Sequence, residues 1–198
     1  MIIKTAEFVK SSTGYQECPA EKFPEYAFIG RSNVGKSSLI NMITNKGKLA
    51  KTSSTPGKTQ LINHFMINME WYLVDLPGYG YAKMPIKVRK RMELMISHYL
   101  LNRKNLLNVF VLIDSRHKPL EKDMDFMMSL AERQLAFSIV FTKADKNKKK
   151  YLKDNIENYK KVLLESWEEL PPIFVTSAET GDGAEELLAA ISQTNEIF

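Results

Sequence analysis

Apolar runs of strand length alternate along the chain with longer stretches that carry apolar residues at helical spacing. Residues 26–29, 109–113 and 136–141 are continuous apolar runs, as strands that are buried on both faces require. Residues 86–101 show a basic amphipathic pattern, which predicts a helix. Because strands and helices alternate, we predict an α/β fold with a doubly wound, mainly parallel sheet and helices on both faces.

The remaining segments fit the same alternation. The other predicted elements are a helix at 36–44, hairpin strands at 61–68 and 71–74, helices at 119–134 and 147–167, a strand at 173–176 and a helix at 183–193. Residues 46–60 and 78–85 are rich in loop-forming residues and predict two loops. Ligands of such sheets bind beyond the carboxyl ends of the strands, so polar motifs at those ends are the first candidates for a site.

Length and composition are those of a globular protein with one domain. The 198 residues, 44% hydrophobic and 26% charged, suffice for a sizeable core. We assign residues 23–198 to that core and residues 1–22 to an N-terminal extension. No apolar run approaches the roughly 20 residues that span a membrane, and no signal-peptide pattern is present. The single cysteine, Cys18, is most simply a packed residue and cannot form an intramolecular disulfide, so we expect a cytoplasmic protein. A monomer is the simplest expectation, although the sequence does not indicate the oligomeric state.

Charge is divided unevenly along the chain. Residues 1–161 hold all 28 Lys and Arg against 15 Asp and Glu, a net charge of +13, whereas the last 37 residues hold 8 acidic groups and no Lys or Arg. This division is consistent with a basic face that meets a polyanion. A surface tuned only for solubility explains the charge equally well.

The sequence GRSNVGKS follows the first apolar strand and opens a helix. It matches the G-x-x-x-x-G-K-[ST] pattern, whose backbone N–H groups and helix N-terminus hold phosphates. The lysine reaches the outer phosphates and the serine hydroxyl binds Mg²⁺. The predicted phosphate-loop residues are Gly30, Arg31, Ser32, Asn33, Val34, Gly35, Lys36 and Ser37.

The sequence DLPG begins at the end of a later strand, with Asp75, Leu76, Pro77 and Gly78. A carboxylate there can hold Mg²⁺ through its water shell, and the N–H of Gly78 can approach a γ-phosphate closely. Alone the motif is a common strand-ending turn. Its position 38 residues after Ser37 makes it a strong partner for the phosphate loop.

Two further motifs each follow a strand and predict the base-binding site. In TKAD, the Asp145 carboxylate can accept both guanine N1–H and its exocyclic amine, which adenine does not offer, while the stem of Lys143 covers the base face. A helix N-cap explains TKAD alone equally well. In TSA, backbone N–H groups can meet the guanine carbonyl. The base-site residues are Thr142, Lys143, Ala144, Asp145, Thr176, Ser177 and Ala178.

With four motifs in order, the chain resembles the translation-factor-related GTPases, and among the TrmE-Era-EngA-EngB-septin-like proteins it is most similar to the EngB (YihA/YsxC) family. GRSNVGKS, TPGKTQLIN at 55–63, DLPGYGYAK at 75–83, TKAD and TSA carry the resemblance. It implies a Mg²⁺-dependent GTPase that binds GTP and GDP, acts in assembly of the large ribosomal subunit, and is needed for normal growth, septation and cell division.

The resemblance also implies roles for single residues. Thr59 binds Mg²⁺ when the γ-phosphate is present. Thr52 and Thr55 lie nearby in the sequence, and without the resemblance the sequence does not choose among the three threonines. The catalytic residues are then Lys36, Thr59 and Gly78, and the ligand-binding loop comprises Gly57, Lys58, Thr59, Gln60 and Leu61.

Comparison with other GTPases singles out three positions, of which Tyr79 and Thr142 are departures. Tyr79 stands where Ras-like enzymes place the glutamine that orients water, so slow intrinsic hydrolysis is expected. Asn33 resembles an asparagine that binds K⁺ beside the phosphates in related GTPases; a hydrogen bond to the loop backbone alone is an equal alternative. Thr142 stands where many GTPases carry asparagine, which leaves open whether the base motif is tied to the phosphate loop.

Basic residues collect on the predicted loops around the nucleotide. A surface of this kind suits RNA phosphates, and the resemblance implies the large ribosomal subunit, its precursor and its rRNA as partners, with no membrane. Solvated flexible loops are the alternative. The residues are Lys46, Lys48, Lys51, Lys58, Lys83, Lys87, Arg89, Lys90, Arg91, Arg116 and Lys118.

Two other functions remain open. A P-loop kinase for a small molecule shares the phosphate loop, but TKAD with D-x-x-G argues against it, and so does the lack of an acceptor-binding insert. A module that binds GTP or GDP with negligible turnover is compatible with Tyr79.

Overall fold

The computed structural model describes residues 1–50, 60–80 and 84–198. Their strands form one seven-stranded sheet in the order β1-β3-β4-β2-β5-β6-β7. The strands are β1 Ala6–Ser12, β2 Glu25–Gly30, β3 Ile62–Ile67, β4 Trp71–Asp75, β5 Leu106–Asp114, β6 Phe137–Thr142 and β7 Ile173–Val175. The helices are α1 Lys36–Ile43, α2 Ile86–Asn102, α3 Glu121–Glu132, α4 Lys149–Leu164 and α5 Ala184–Asn195.

The sheet is parallel except at one edge. β4, β2, β5, β6 and β7 pair in parallel, while β3 pairs antiparallel with both β4 and β1. Near the centre, β2 is buried throughout and β5 is buried from Val109 to Asp114, which explains the apolar runs at 26–29 and 109–113. The predicted doubly wound α/β fold is confirmed.

Helices cover both faces of the sheet. Leu39 and Ile40 of α1 and Leu187 and Ile191 of α5 pack against one face. Residues of α2, α3 and α4 pack against the other. Within the described residues, no helix is long and apolar enough to cross a membrane.

The N-terminal segment contributes to the same sheet. Residues 1–22, which the sequence analysis assigned to an extension, include β1, which pairs along β3 from Ala6 to Ser12. A short 3-10 helix at Tyr15–Glu17 then leads toward β2. The sheet therefore begins before residue 23.

Candidate functional site

The phosphate loop lies between the carboxyl end of β2 and the start of α1, as the sequence predicts. Gly35 has a φ of 104°, a left-handed conformation that few side chains tolerate. Gly30 pairs with Leu112 of β5, and a Cβ on Gly30 would lie 2.8 Å from the carbonyl oxygen of Leu112, so a side chain has no room where the loop begins. The helix that follows directs its first N–H groups, which have no partner within the helix, toward the loop.

Lys36 and Asp75 meet at this edge of the sheet. Asp75 ends β4 beside Phe28 of β2, and its Oδ1 accepts a hydrogen bond from the Lys36 ammonium. Burial lowers the pKa of Lys36, and the neighbouring carboxylate opposes that effect by attraction. The two side chains that the sequence assigns to phosphate and metal are thus each other's partner here.

The donors present fit Mg²⁺. Ser37 offers a hydroxyl and Asp75 a carboxylate, both oxygen ligands of the kind that Mg²⁺ prefers, and Mg²⁺ commonly binds one or two protein groups together with phosphates and waters. Thr59, Gly57 and Lys58 lie outside the described residues. Among the described residues, no cluster of three or more His, Cys, Asp or Glu could hold a metal.

The base motif and the phosphate loop are joined directly. The Thr142 hydroxyl lies 2.5 Å from the carbonyl oxygen of Val34 and 3.2 Å from that of Ile113, and can donate to either. The Lys143 ammonium donates to the carbonyl of Asn33 at 2.6 Å. The tether that the sequence left open is therefore made by a threonine hydroxyl.

Asp145 is held in place by its neighbours. The Ser177 hydroxyl donates to Asp145 Oδ1 at 2.7 Å, and the Lys146 ammonium lies 3.0 Å from Oδ2. Hydrogen bonds from Ser177 and Lys146 lower the pKa of Asp145, so it faces a ligand as an acceptor only. The amide of Ala144 donates to the carbonyl of Thr176, which links the two base motifs.

These residues border one open cavity of about 590 Å³. Its size suits a nucleoside-sized ligand. Residues from three of the four predicted motifs line it, namely Gly35, Thr142, Lys143, Asp145, Thr176 and Ala178. Gln60 and Leu61 lie elsewhere, along a second cavity between the sheet and α2 that Asp75 also lines.

Tyr79 is turned toward α3. Its hydroxyl donates to Asp123 Oδ1 at 2.9 Å, and its ring stacks on Phe126 with centroids 4.4 Å apart. Burial raises the pKa of both Tyr79 and Asp123. The side chain therefore anchors the loop after Gly78.

Two important residues were missed by the sequence analysis. Asp114 ends β5 and binds the Lys143 ammonium at 2.9 Å. Gly183 precedes α5 with a φ of 78°, and a Cβ there would lie 2.2 Å from the carbonyl oxygen of Val175. Asp114 could have been found, because it follows a buried apolar strand as the recognised motifs do. Gly183 carries no comparable signal.

Cys18 and the histidines lie outside this site. Burial raises the pKa of the Cys18 thiol to about 11, so it is a poor nucleophile at neutral pH. His64 is buried against Glu25, and His98 and His117 are exposed. The partly buried Cys18 agrees with the packed role expected from the sequence.

Comparison with known sequences points to one family. The sequence model of a family described as 50S ribosome-binding GTPase matches residues 25–143. The chain is 57% identical over 196 residues to a probable GTP-binding protein EngB of Porphyromonas gingivalis, covering 99% of this chain and 98% of the relative. It is 56% identical over 195 residues to the corresponding protein of Christiangramia forsetii, covering 98% of each.

Comparison with solved structures agrees. A crystal structure of a probable GTP-binding protein engB is similar with a TM-score of 0.69 and 26% identity, covering 88% of this chain and 100% of that one. The GDP- and AlF₄⁻-bound structure of Era from Aquifex aeolicus gives a TM-score of 0.70 at 22% identity, covering 87% of this chain and 57% of that one. The second likeness concerns the fold alone.

Proposed function

Because this chain belongs to the EngB family of GTP-binding proteins, we propose that it is a Mg²⁺-dependent GTPase switch. Its nucleotide state would control binding to the large ribosomal subunit or its precursor. The observation that carries the proposal is the direct connection between phosphate loop and base motif through Thr142 and Lys143. Gly35 of the phosphate loop and Asp145 of the base motif also line the same cavity, which supports a joint role in holding a nucleotide.

The residues of this chain divide the work of holding the nucleotide. The phosphate-loop amides and Lys36 would bind the phosphates, Ser37 and Thr59 would hold the metal with Asp75 acting through its water shell, and Asp145 would select guanine. Bound Mg²⁺ would neutralise charge that develops on the phosphates. The first loop would order around the γ-phosphate and be released after hydrolysis, which gives the switch its cause.

Slow intrinsic hydrolysis is part of the proposal. Tyr79 cannot orient water as a glutamine does, and its hydroxyl is engaged by buried Asp123. The same geometry favours the second candidate, a GTP- or GDP-binding module with negligible turnover. Phosphate release measured with and without large ribosomal subunits separates the two, because only the switch should be accelerated.

The ribosomal partner rests on charge and on family membership. Exposed basic residues surround the nucleotide edge, and the family description names the 50S ribosome. Such a surface suits rRNA phosphates. The protein would then act in the cytoplasm in assembly of the large subunit, and normal growth and cell division would depend on it. The described exposed residues are Lys46, Lys48, Lys87, Lys90, Arg91, Arg116 and Lys118; Lys51, Lys58 and Lys83 lie outside the described residues.

Sedimentation with large ribosomal subunits tests the switch directly. Protein loaded with a non-hydrolysable GTP analogue should co-sediment, and protein loaded with GDP should stay largely in the supernatant. Equal association in both states would contradict the proposed control by nucleotide. Binding of ATP as tightly as GTP would contradict the assignment of the pocket.

A K⁺ ion beside Asn33 is the finer part of the proposal. Asn33 is exposed on the phosphate loop with a φ of 60°, and a cation there could supply charge that an arginine supplies in other GTPases. The alternative is that Asn33 only supports the loop backbone. Turnover should then be the same in K⁺ and Na⁺, whereas a K⁺ site predicts faster turnover in K⁺.

A further inference from the structure

The Lys143 ammonium is fixed at two points, although the residue itself belongs to the base motif. Its backbone is left-handed, with a φ of 58°. Nζ donates to the Asn33 carbonyl at 2.6 Å and to Asp114 Oδ2 at 2.9 Å. Its Cε lies 3.5 Å from the point where a Cβ on Gly35 would stand. The aliphatic stem is therefore stretched along the phosphate loop and held at its far end.

Asp114 is itself rigidly placed. It ends β5 in register with Thr142 of β6, and only 9% of the residue is exposed. Arg116 donates to both carboxylate oxygens, from Nε to Oδ1 at 2.9 Å and from Nη2 to Oδ2 at 2.7 Å. Its backbone N–H adds a third hydrogen bond to Oδ1 at 3.1 Å. The carboxylate therefore has one orientation, with Oδ2 facing Lys143.

The charge on Asp114 is stable. Burial by itself would raise its pKa, but the hydrogen bonds from Arg116 and Lys143 outweigh burial and lower the pKa well below the usual range. Charge-assisted hydrogen bonds of this kind are stronger than neutral ones. A permanent anion thus faces the Lys143 ammonium at neutral pH.

We propose that Asp114, oriented by Arg116, is a positioning residue that sets guanine-nucleotide affinity by clamping Lys143 between the base site and the phosphate loop. The proposal rests on the guanine-nucleotide pocket of the proposed function and is independent of the ribosomal partner. Without the clamp, Lys143 regains the rotamer freedom that a long side chain loses on ordering. Its stem then covers the base face for less of the time.

The role predicts a particular pattern of selectivity. A stem lying over a purine face does not distinguish one purine from another, whereas Asp145 reads the guanine edge. Inosine diphosphate lacks the exocyclic amine of guanine. Loss of Asp114 should therefore lower the affinities for GDP and for inosine diphosphate by the same factor. Substitution of Asp145 should change the ratio between them. A general disruption of the pocket would alter both affinity and ratio.

A double-mutant cycle on GDP dissociation tests the clamp. Stopped-flow release of a fluorescent GDP is measured for the wild type, Asp114→Asn, Lys143→Met and the double variant. Lys143→Met keeps a stem and removes the ammonium. Each single variant should release GDP about tenfold faster, as expected for a lost hydrogen bond to a charged group. The double variant should be no faster than Lys143→Met. Asp154→Asn, an exposed residue of α4, is the matched control and should match the wild type.

Three results would overturn the proposal. These are unchanged release from Asp114→Asn, single effects that multiply in the double variant, and a changed ratio of GDP to inosine diphosphate affinity. Should Asp114→Asn fail to fold, Arg116→Met replaces it, because Arg116 is largely exposed and only orients the carboxylate. Arg116→Met should accelerate GDP release less than Asp114→Asn does. It should add no further acceleration when combined with Lys143→Met. A wild type without preference for GDP over ADP would instead overturn the proposed function itself.

Discussion

At the scale of single residues, the site is joined by contacts that a motif does not encode. Thr142 donates to the phosphate-loop carbonyl of Val34, although its identity departs from the common asparagine. The sequence could name both residues but could not predict their contact, because it depends on how closely β6 approaches the loop. The position of Asp114 after a buried strand marks it as a candidate, but its contact with Lys143 depends in the same way on how two neighbouring strands are placed.

Gly183 is expected to be the glycine least tolerant of substitution in this region. In Gly183→Ala, the new Cβ would collide with the Val175 carbonyl oxygen at 2.2 Å, directly before the TSA motif. We expect the free energy of unfolding to fall by about 3 kcal/mol, measured by urea denaturation. Gly181→Ala is the matched control, because Gly181 has a similar φ of +83° with nothing within 4 Å of its added Cβ. It should cost about 1 kcal/mol. Equal losses would contradict the steric explanation.

Asp145→Asn should convert the base preference from guanine to xanthine. An amide offers one acceptor and one donor group, so it cannot accept two N–H groups from guanine but can pair with the xanthine edge. GDP affinity should drop at least about 100-fold while xanthosine diphosphate affinity rises, as measured by calorimetry. Asp182→Asn, an exposed change in the same loop region, should leave both affinities unaltered. Unchanged GDP affinity in Asp145→Asn would remove Asp145 from the base site.

At the scale of elements, buried strands were predictable and the edge strand was not. β2 and β6 are recognisable in the sequence as apolar runs because both of their faces are covered. β1 has the burial pattern of an exposed edge, with only Ala6 and Ser12 buried, and its pairing is irregular between Phe8 and Lys10. Its place in the sheet depends on backbone pairing with β3. Backbone pairing produces no alternation of apolar and polar residues that could be recognised in the sequence.

A buried polar cluster joins three elements at the start of β2, at the opposite end of that strand from the phosphate loop. Glu25 at the start of β2 accepts hydrogen bonds from His64 of β3 and Tyr99 of α2, and from Arg103 just after α2. Burial would raise the pKa of Glu25, but the hydrogen bonds from His64 and Arg103 outweigh it and lower the pKa from 4.5 to about 2. The carboxylate therefore fixes the end of α2 to the sheet.

Glu25→Gln should destabilise the protein and flatten its response to acid. Leaving Arg103 without its buried anion should cost about 3 kcal/mol at neutral pH. Because the folded-state pKa is depressed, the stabilisation by Glu25 is complete above 4.5 and is lost as the pH falls toward 2. Urea unfolding from pH 7 to 2 should show a smaller loss of stability in Glu25→Gln than in the wild type.

Glu21→Gln provides the comparison for this test. Glu21 also lies near Arg103, at 3.5 Å, but its side chain is 34% exposed. An exposed ion pair contributes little, so this variant should follow the wild type at every pH. Parallel curves for Glu25→Gln and the wild type would show that Glu25 is not the group that titrates.

At the scale of the whole molecule, charge and the nucleotide edge coincide. The basic residues of α2 and of the loop after β5 lie at the carboxyl edge of the sheet, whereas the last 37 residues hold 8 acidic groups. The sequence predicted both the imbalance and the position of these basic residues, because they follow the carboxyl ends of predicted strands. The proposed contact with rRNA would therefore use the side of the molecule that carries the nucleotide motifs.

Two double charge reversals distinguish the basic residues of α2 from those at the start of α4. Lys87→Glu with Lys90→Glu changes α2, and Lys149→Glu with Lys150→Glu makes the same change of charge at the start of α4. The α2 variant should bind large subunits about tenfold more weakly at moderate salt. The slope of log binding constant against log salt concentration should be smaller in magnitude by about two, one for each lost phosphate contact. The α4 variant should stay near the wild type. Similar losses in both, measured by sedimentation across a salt series, would mean that only net charge matters.

The ion pair between Lys36 and Asp75 implies an order in which the pocket fills. While the ammonium is bound to the carboxylate, a divalent cation arriving alone meets a site whose anion is already neutralised. A nucleotide phosphate that attracts Lys36 would free Asp75 at the same moment. Loading would then be sequential. The triphosphate would bind first and draw Lys36 away, and the divalent cation would follow once Asp75 is free.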